Sequence, residues 1–166
     1  MIRNLAWLAC LLLLTGPALA ADGDVVSGPV RAIDADIIMV NDQRVILYGV
    51  DAPERSQFCF VGNKKWGCWD AAMSALRTIL EPGTASCTLS GEPDPFNRRY
   101  GVCTVDGKDV GAELVRSGMA MAFLDQGDDY AEIEQQARTA EVGLWQPRAK
   151  VDAPWVWRKR NPGGYR

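Results

Sequence analysis

Apolar residues fall into five short runs along the chain, each bounded by turn residues. Pro29 to Ala35, Ile37 to Asn41 and Arg44 to Val50 are rich in Val and Ile, with Asp34 and Asn41-Asp42 as turn residues between them. This pattern predicts three strands, the last two joined by a tight hairpin at Asn41-Asp42. Thr84 to Leu89 and Arg99 to Val105 predict two more, linked by the polar segment Ser90 to Arg98. Between the two sets the period changes. Trp69, Ala72, Met73, Leu76, Ile79 and Leu80 recur at three- and four-residue steps, which predicts a helix over 66–81 with one apolar face, closed by Pro82-Gly83. A short helix over 110–117 ends at Gly118. A last helix over 128–142 opens on acidic residues and ends at Gly143. Residues 51–66 read as a polar loop, and residues 21–28 as a polar lead-in.

Five strands with about three packed helices predict an α+β fold in which a small, bent antiparallel sheet becomes a partly closed five-stranded barrel. The chain of 166 residues supports one domain. Residues 1–20 read as a signal peptide, with Arg3 as the positive region, Leu5 to Leu14 as the apolar core and Ala18-Leu19-Ala20 as the small-residue cleavage site. Cleavage near Ala20 leaves a domain over 21–146 and a C-terminal arm over 147–166. The arm is basic and aromatic, with Trp155, Trp157, Arg158, Lys159 and Arg160. It is expected to be partly ordered, either stacking on nucleic acid or packing against the barrel. No later segment is long and apolar enough to span a bilayer, so a periplasmic or secreted monomer without a membrane anchor is expected.

Export changes how the cysteines read. With Cys10 removed, Cys59, Cys68, Cys87 and Cys103 remain, an even set suited to an oxidising compartment. Their spacing does not suit a zinc ribbon. Of the three possible pairings, Cys59–Cys68 with Cys87–Cys103 is favoured. Cys87 and Cys103 lie about equally far from the middle of their connection, so an antiparallel register places them opposite each other.

Charge narrows the chemistry. With Arg3 gone, 17 basic residues face 21 acidic ones, which argues against a protein that holds nucleic acid by bulk positive charge and leaves room for a local basic cleft. The chain has no histidine. Ser-His-Asp triads and histidine zinc sites are therefore excluded, and hydrolytic chemistry falls to carboxylates, arginines, a metal or water. Asp51 and Glu54 stand three residues apart after the third strand, and Asp34 and Asp36 stand before the second. Oxygen donors of this kind suit a hard cation. They also suit simpler roles: Asp34 as a turn residue bonding its own backbone, and Asp51 and Glu54 as solvated turn caps.

The motifs Val30-Arg-Ala-Ile-Asp-Ala-Asp36, Tyr48-Gly-Val-Asp-Ala-Pro-Glu54, Asp94-Pro-Phe-Asn-Arg98, the stretch Val105 to Ala120 and Ala140-Glu-Val-Gly-Leu-Trp145 resemble, in this order, the staphylococcal nuclease (thermonuclease) family. The likeness spans about residues 25–146, and the four-cysteine arrangement resembles its exported bacterial branch. The resemblance implies an OB-fold-like barrel and a Ca²⁺-dependent phosphodiesterase acting on DNA or RNA. It implies Asp36 and Asp51 as calcium ligands with the Ala52 carbonyl, Glu54 as the general base for the attacking water, and Arg98 as a phosphate-binding arginine. The family's second phosphate-binding arginine falls at Ile46. Alternation places Arg44 on the same strand face about 7 Å away, a poor position for a bidentate clamp. Ala35, Phe96-Asn97 and Leu124-Asp125-Gln126 depart from the family pattern as well. The resemblance thus implies the metal-and-base half of a nuclease site with a weakened phosphate clamp. A catalytically inactive binding or assembly module, for example one linked to exopolysaccharide synthesis, is the alternative.

Overall fold

Alternating exposed and half-buried positions begin earlier than hydrophobicity indicates, at Val25. The computed structural model describes residues 23–81 and 83–163, and the signal peptide expected over 1–20 lies outside the described residues. Strand β1 (Val25–Asp34) pairs through its second half with β2 (Ile37–Val40), which turns at Asn41-Asp42 into β3 (Gln43–Leu47). Asn41 adopts φ 50°, the left-handed conformation that a two-residue hairpin demands. The lead-in expected over residues 21–28 is corrected from Val25 onward. These residues form the first half of β1 and pair with a later strand, Val26 opposite Cys87. Backbone pairing, which leaves no hydropathy signal, builds this segment.

The polar loop expected over 51–66 also contains structure. It opens with β4 (Val50–Asp51) and folds into a hairpin of β5 (Cys59–Val61) and β6 (Lys64–Trp66) ahead of helix α1 (Cys68–Ile79). Strands β7 (Thr84–Ser90) and β8 (Arg98–Val105) follow, joined antiparallel with Cys87 opposite Cys103. Next come β9 (Lys108–Asp109), α2 (Val110–Arg116), β10 (Met121–Ala122) and α3 (Ala131–Thr139). α3 is shorter than the 128–142 expectation, because residues 128–130 form the preceding turn and Ala140 caps its end. A 3-10 turn (Gly143–Trp145), β11 (Ala149–Lys150) and α4 (Pro154–Arg160) complete the described chain. The arm is therefore ordered through a fourth helix, where about three were expected. Pro154 occupies the first turn of α4, where its missing N–H costs nothing.

The sheet closes. The order β3-β2-β1-β7-β8 is completed by parallel pairing of β3 with β8, which gives a five-stranded barrel of the OB-fold-like α+β type. Val45 and Leu47 of β3, Ala85, Cys87 and Leu89 of β7, and Cys103 and Val105 of β8 are buried in one core. α1 lays Ala72, Met73 and Leu76 on that core, and α2 adds Leu114 and Val115. Two disulfides are present, Cys87–Cys103 inside the barrel and Cys59–Cys68 tying β5 to the start of α1. The second disulfide anchors a smaller cluster with Met121 and Leu144, against which Trp66 and Trp155 pack.

Two glycines allow the last segment to meet α2. Gly118 and Gly143 have φ +68° and +58°, and the Leu144 amide donates to the Gly118 carbonyl at 2.8 Å. A Cβ on Gly143 would sit 2.4 Å from that carbonyl oxygen. Gly107, at φ +74°, has open space around it. Gly107→Ala is therefore expected to cost only the left-handed penalty of about 1–2 kcal/mol. Gly143→Ala should cost clearly more, because backbone must move as well. Urea unfolding of the two variants checks the difference.

Candidate active site

The residues singled out from the sequence line one pocket of about 290 Å³ at the closing edge of the barrel. Asp36 lies in the turn between β1 and β2. Its backbone carbonyl accepts from the Leu47 amide at 2.9 Å, and its Oδ2 accepts from the Ala52 amide at 3.3 Å. Asp51 ends β4, which is held in place by β10 through the pair Met121 and Asp51. Glu54 sits in the turn that follows. Gln57, only 2 % exposed, fixes this turn: its amide donates to the Glu54 carbonyl at 2.8 Å and its Oε1 accepts from the Glu54 amide at 3.2 Å. The structure thus brings Asp36, Asp51, Ala52, Glu54 and Arg98 to one place.

Arg98 enters from the start of β8. Asp94 organises it from the preceding turn, accepting from the Arg98 Nε and Nη2 at 2.7 Å each and from the amides of Phe96 and Arg98 at 2.9 Å each. Hydrogen bonds from Arg98 hold the Asp94 carboxyl below its ordinary range. The guanidinium also lies 5.1 Å from the Phe96 ring centre. Arg44 and Ile46 point to the same face of β3, with Ile46 lining the pocket beside Tyr100 and Arg44 exposed opposite Arg98. Asp34 works locally. Its Oδ1 accepts from the Ala35 amide at 2.9 Å and from the Trp69 indole at 2.6 Å, while Arg55 approaches its Oδ2 at 3.9 Å.

Arg158, from α4, also lines the pocket, and it received no site role from the sequence. Its Nη1 donates to Asp51 Oδ1 at 2.8 Å and to Glu54 Oε1 at 2.6 Å, and its Nη2 donates to Asp51 Oδ2 at 2.6 Å. The signal was present but indirect: a basic, aromatic segment behind Pro154, and an acidic pocket short of cations. Asp51 is 4 % exposed. Burial pushes its carboxyl up and Arg158 pulls it back, while the bond to Asp51 strengthens the hold of Arg158 on its own proton. Glu54 is likewise raised by burial and pulled back by Arg158. Asp36 has no cationic partner among the described residues. Burial first, then the Asp51 charge, raises it from 3.8 to about 8.

The donor chemistry suits a hard cation. Asp36 is a desolvated carboxyl with no counter-charge among the described residues, and Asp51 and Glu54 supply further oxygens in the same pocket, which Ala52 also lines. Among the described residues, however, no three carboxylates converge as a metal cluster. Asp51 and Glu54 converge on the guanidinium of Arg158 instead.

Carboxylates and an arginine thus gather at one edge of a closed five-stranded barrel of the OB-fold-like α+β class. Residues 44–147 match the family described as staphylococcal nuclease homologue, and the chain belongs to that family. It is 33 % identical over 147 residues to the succinoglycan biosynthesis protein ExoI of Rhizobium meliloti, covering 86 % of this chain and 75 % of that one. It is 30 % identical over 125 residues to the probable endonuclease LCL3 of Yarrowia lipolytica, covering 68 % of this chain and 54 % of that one. Similarity to the staphylococcal-like nuclease CAN1 of Arabidopsis thaliana is 28 % over 129 residues, covering 76 % of this chain and 36 % of that one. The chain thus spans about half or less of these two nuclease relatives.

The raised carboxyls set the pH dependence of stability. Between about 3.8 and about 8 the native state holds the Asp36 proton that the unfolded chain releases, so stability falls as pH rises through that window. Asp51 and Glu54 shift in the same direction. In chelator, the urea midpoint should drop between pH 5.5 and 8.5, and Asp36→Asn should flatten the drop.

Proposed function

We propose that the chain is an exported phosphodiester hydrolase acting on DNA or RNA, with Ca²⁺ as cofactor and catalysis weakened by Ile46. The observation that carries this reading is the gathering of Asp36, Asp51, Ala52, Glu54 and Arg98 around one pocket. Asp36, Asp51 and the Ala52 carbonyl would hold the cation, which when bound neutralises phosphate charge and polarises the phosphorus–oxygen bonds. Glu54 acts as general base toward a water, and burial makes it a stronger base than an exposed glutamate. Arg98, pre-positioned by Asp94, binds the scissile phosphate and stabilises the charge that develops in the transition state.

Ile46 contributes no donor where a second guanidinium would face that phosphate. A transition-state arginine is worth roughly 10³–10⁵ in rate in phosphoryl-transfer enzymes. The same apolar position, with Arg158 seated on Asp51 and Glu54, favours a second reading as a non-catalytic binding or assembly module. The relative named for succinoglycan biosynthesis supports that reading too. Both readings are compatible with export, given the two disulfides and the lack, among the described residues, of a helix long and apolar enough to cross a membrane.

Digestion of plasmid and single-stranded DNA by the mature protein, with Ca²⁺ or with chelator, separates them. The hydrolase reading expects slow, chelator-sensitive cleavage. Glu54→Gln should lower it by about 10²–10⁴, and Ile46→Arg should raise it at least about tenfold, a modest part of what such an arginine can supply. Absence of cleavage at high protein concentration, in wild type and in Ile46→Arg alike, overturns the hydrolase reading.

A further inference from the structure

We propose that Arg158 is a resident counter-cation, which occupies the carboxylate oxygens that a divalent ion needs and must withdraw before the ion can enter. This inference rests on the reading of the pocket as a cation site. Arg158 engages both oxygens of Asp51 and one of Glu54 at 2.6–2.8 Å. A hard divalent cation needs oxygens of the same kind at about 2.3–2.6 Å. A guanidinium has no acceptor to offer a metal and never loses its charge. The two cations therefore repel across shared donors, and their occupancies compete.

The charge balance explains why the seat is filled. Asp34, Asp36, Asp51 and Glu54 line one pocket, while Arg98 is already committed to Asp94. An exposed ion pair would add little. Asp51, however, is nearly buried, and leaving it unpartnered is costly. The pocket thus requires a cation, and the fold supplies one from 107 residues away.

The mount suits withdrawal. Arg158 sits on a seven-residue helix, too short to be stable on its own. Trp155 packs on Phe123 at 5.5 Å between ring centres, and the Gln57 side-chain amide donates to the Asp152 carbonyl at 2.7 Å. The barrel is closed by the pairing of β3 with β8, and α4 is not one of its strands, so the guanidinium can leave while the barrel stays closed.

Calcium titration by calorimetry on the mature wild type, Arg158→Ala and Arg158→Gln tests this, together with hydrogen exchange of residues 154–160 in the wild type with and without calcium. The variants should bind calcium at least about tenfold more tightly, since a competing state no longer reduces the binding-competent fraction. Saturating calcium should speed exchange across 154–160 in the wild type. Equal affinity in wild type and variants, or unchanged exchange at saturation, overturns the role of Arg158 and leaves the cation site standing. Folded variants and wild type that all fail to bind calcium overturn the cation site, and this inference with it. The exchange experiment needs no substitution, so it decides the matter even where a variant does not fold.

Discussion

Parallel pairing of β3 with β8 is the contact on which the site depends. Without it the five strands form an open sheet, and the turn carrying Asp51 and Glu54 has no fixed relation to Arg98. Its register is also chemically decisive, because Arg44 lies opposite Arg98 and Ile46 opposite Tyr100. Side chains two residues apart share a face of a strand but stand about 7 Å apart along it. Arg44 is therefore beside the pocket in register and exposed in fact, while an isoleucine faces the cavity.

Around that edge the fold resolves one electrostatic problem in several ways. Carboxylates taken from water must be neutralised, hydrogen-bonded or protonated. Asp34 is satisfied by neutral donors from Ala35 and Trp69. Asp51 and Glu54 take a guanidinium. Asp36, left with one weak backbone bond, holds a proton instead. Each solution constrains the next, since the charge on Asp51 is among the causes that raise Asp36.

What the sequence made legible follows physical locality. The strands announced themselves as short apolar runs rich in Val and Ile between turn residues, and α1 by its apolar stripe. The opposition of Cys87 and Cys103 follows from counting outward from their connection. The carboxylates that share the pocket, Asp34, Asp36, Asp51 and Glu54, all belong to one stretch between positions 34 and 54, which displayed them together. Residues 25–28, the hairpin of β5 and β6, and α4 were not legible, because pairing or docking creates them rather than their own composition. Arg158 belongs to this second kind. Its partners stand 104 and 107 residues upstream, and only the folded chain reveals that one basic side chain of an aromatic tail reaches them.

The bond between Cys59 and Cys68 reaches further than the small cluster it closes. β5, which carries Cys59, is the strand on which β11 docks, with Lys150 opposite Phe60 and the Gly62 amide donating to the Arg148 carbonyl at 2.9 Å. The C-terminal segment thus hangs from a hairpin that the disulfide bolts to the first turn of α1. A chain in which these two cysteines are reduced keeps the docking strand but loses the bolt. The seating of its far end is then a product of oxidation as well as of packing, and the compartment in which the chain folds becomes part of its architecture.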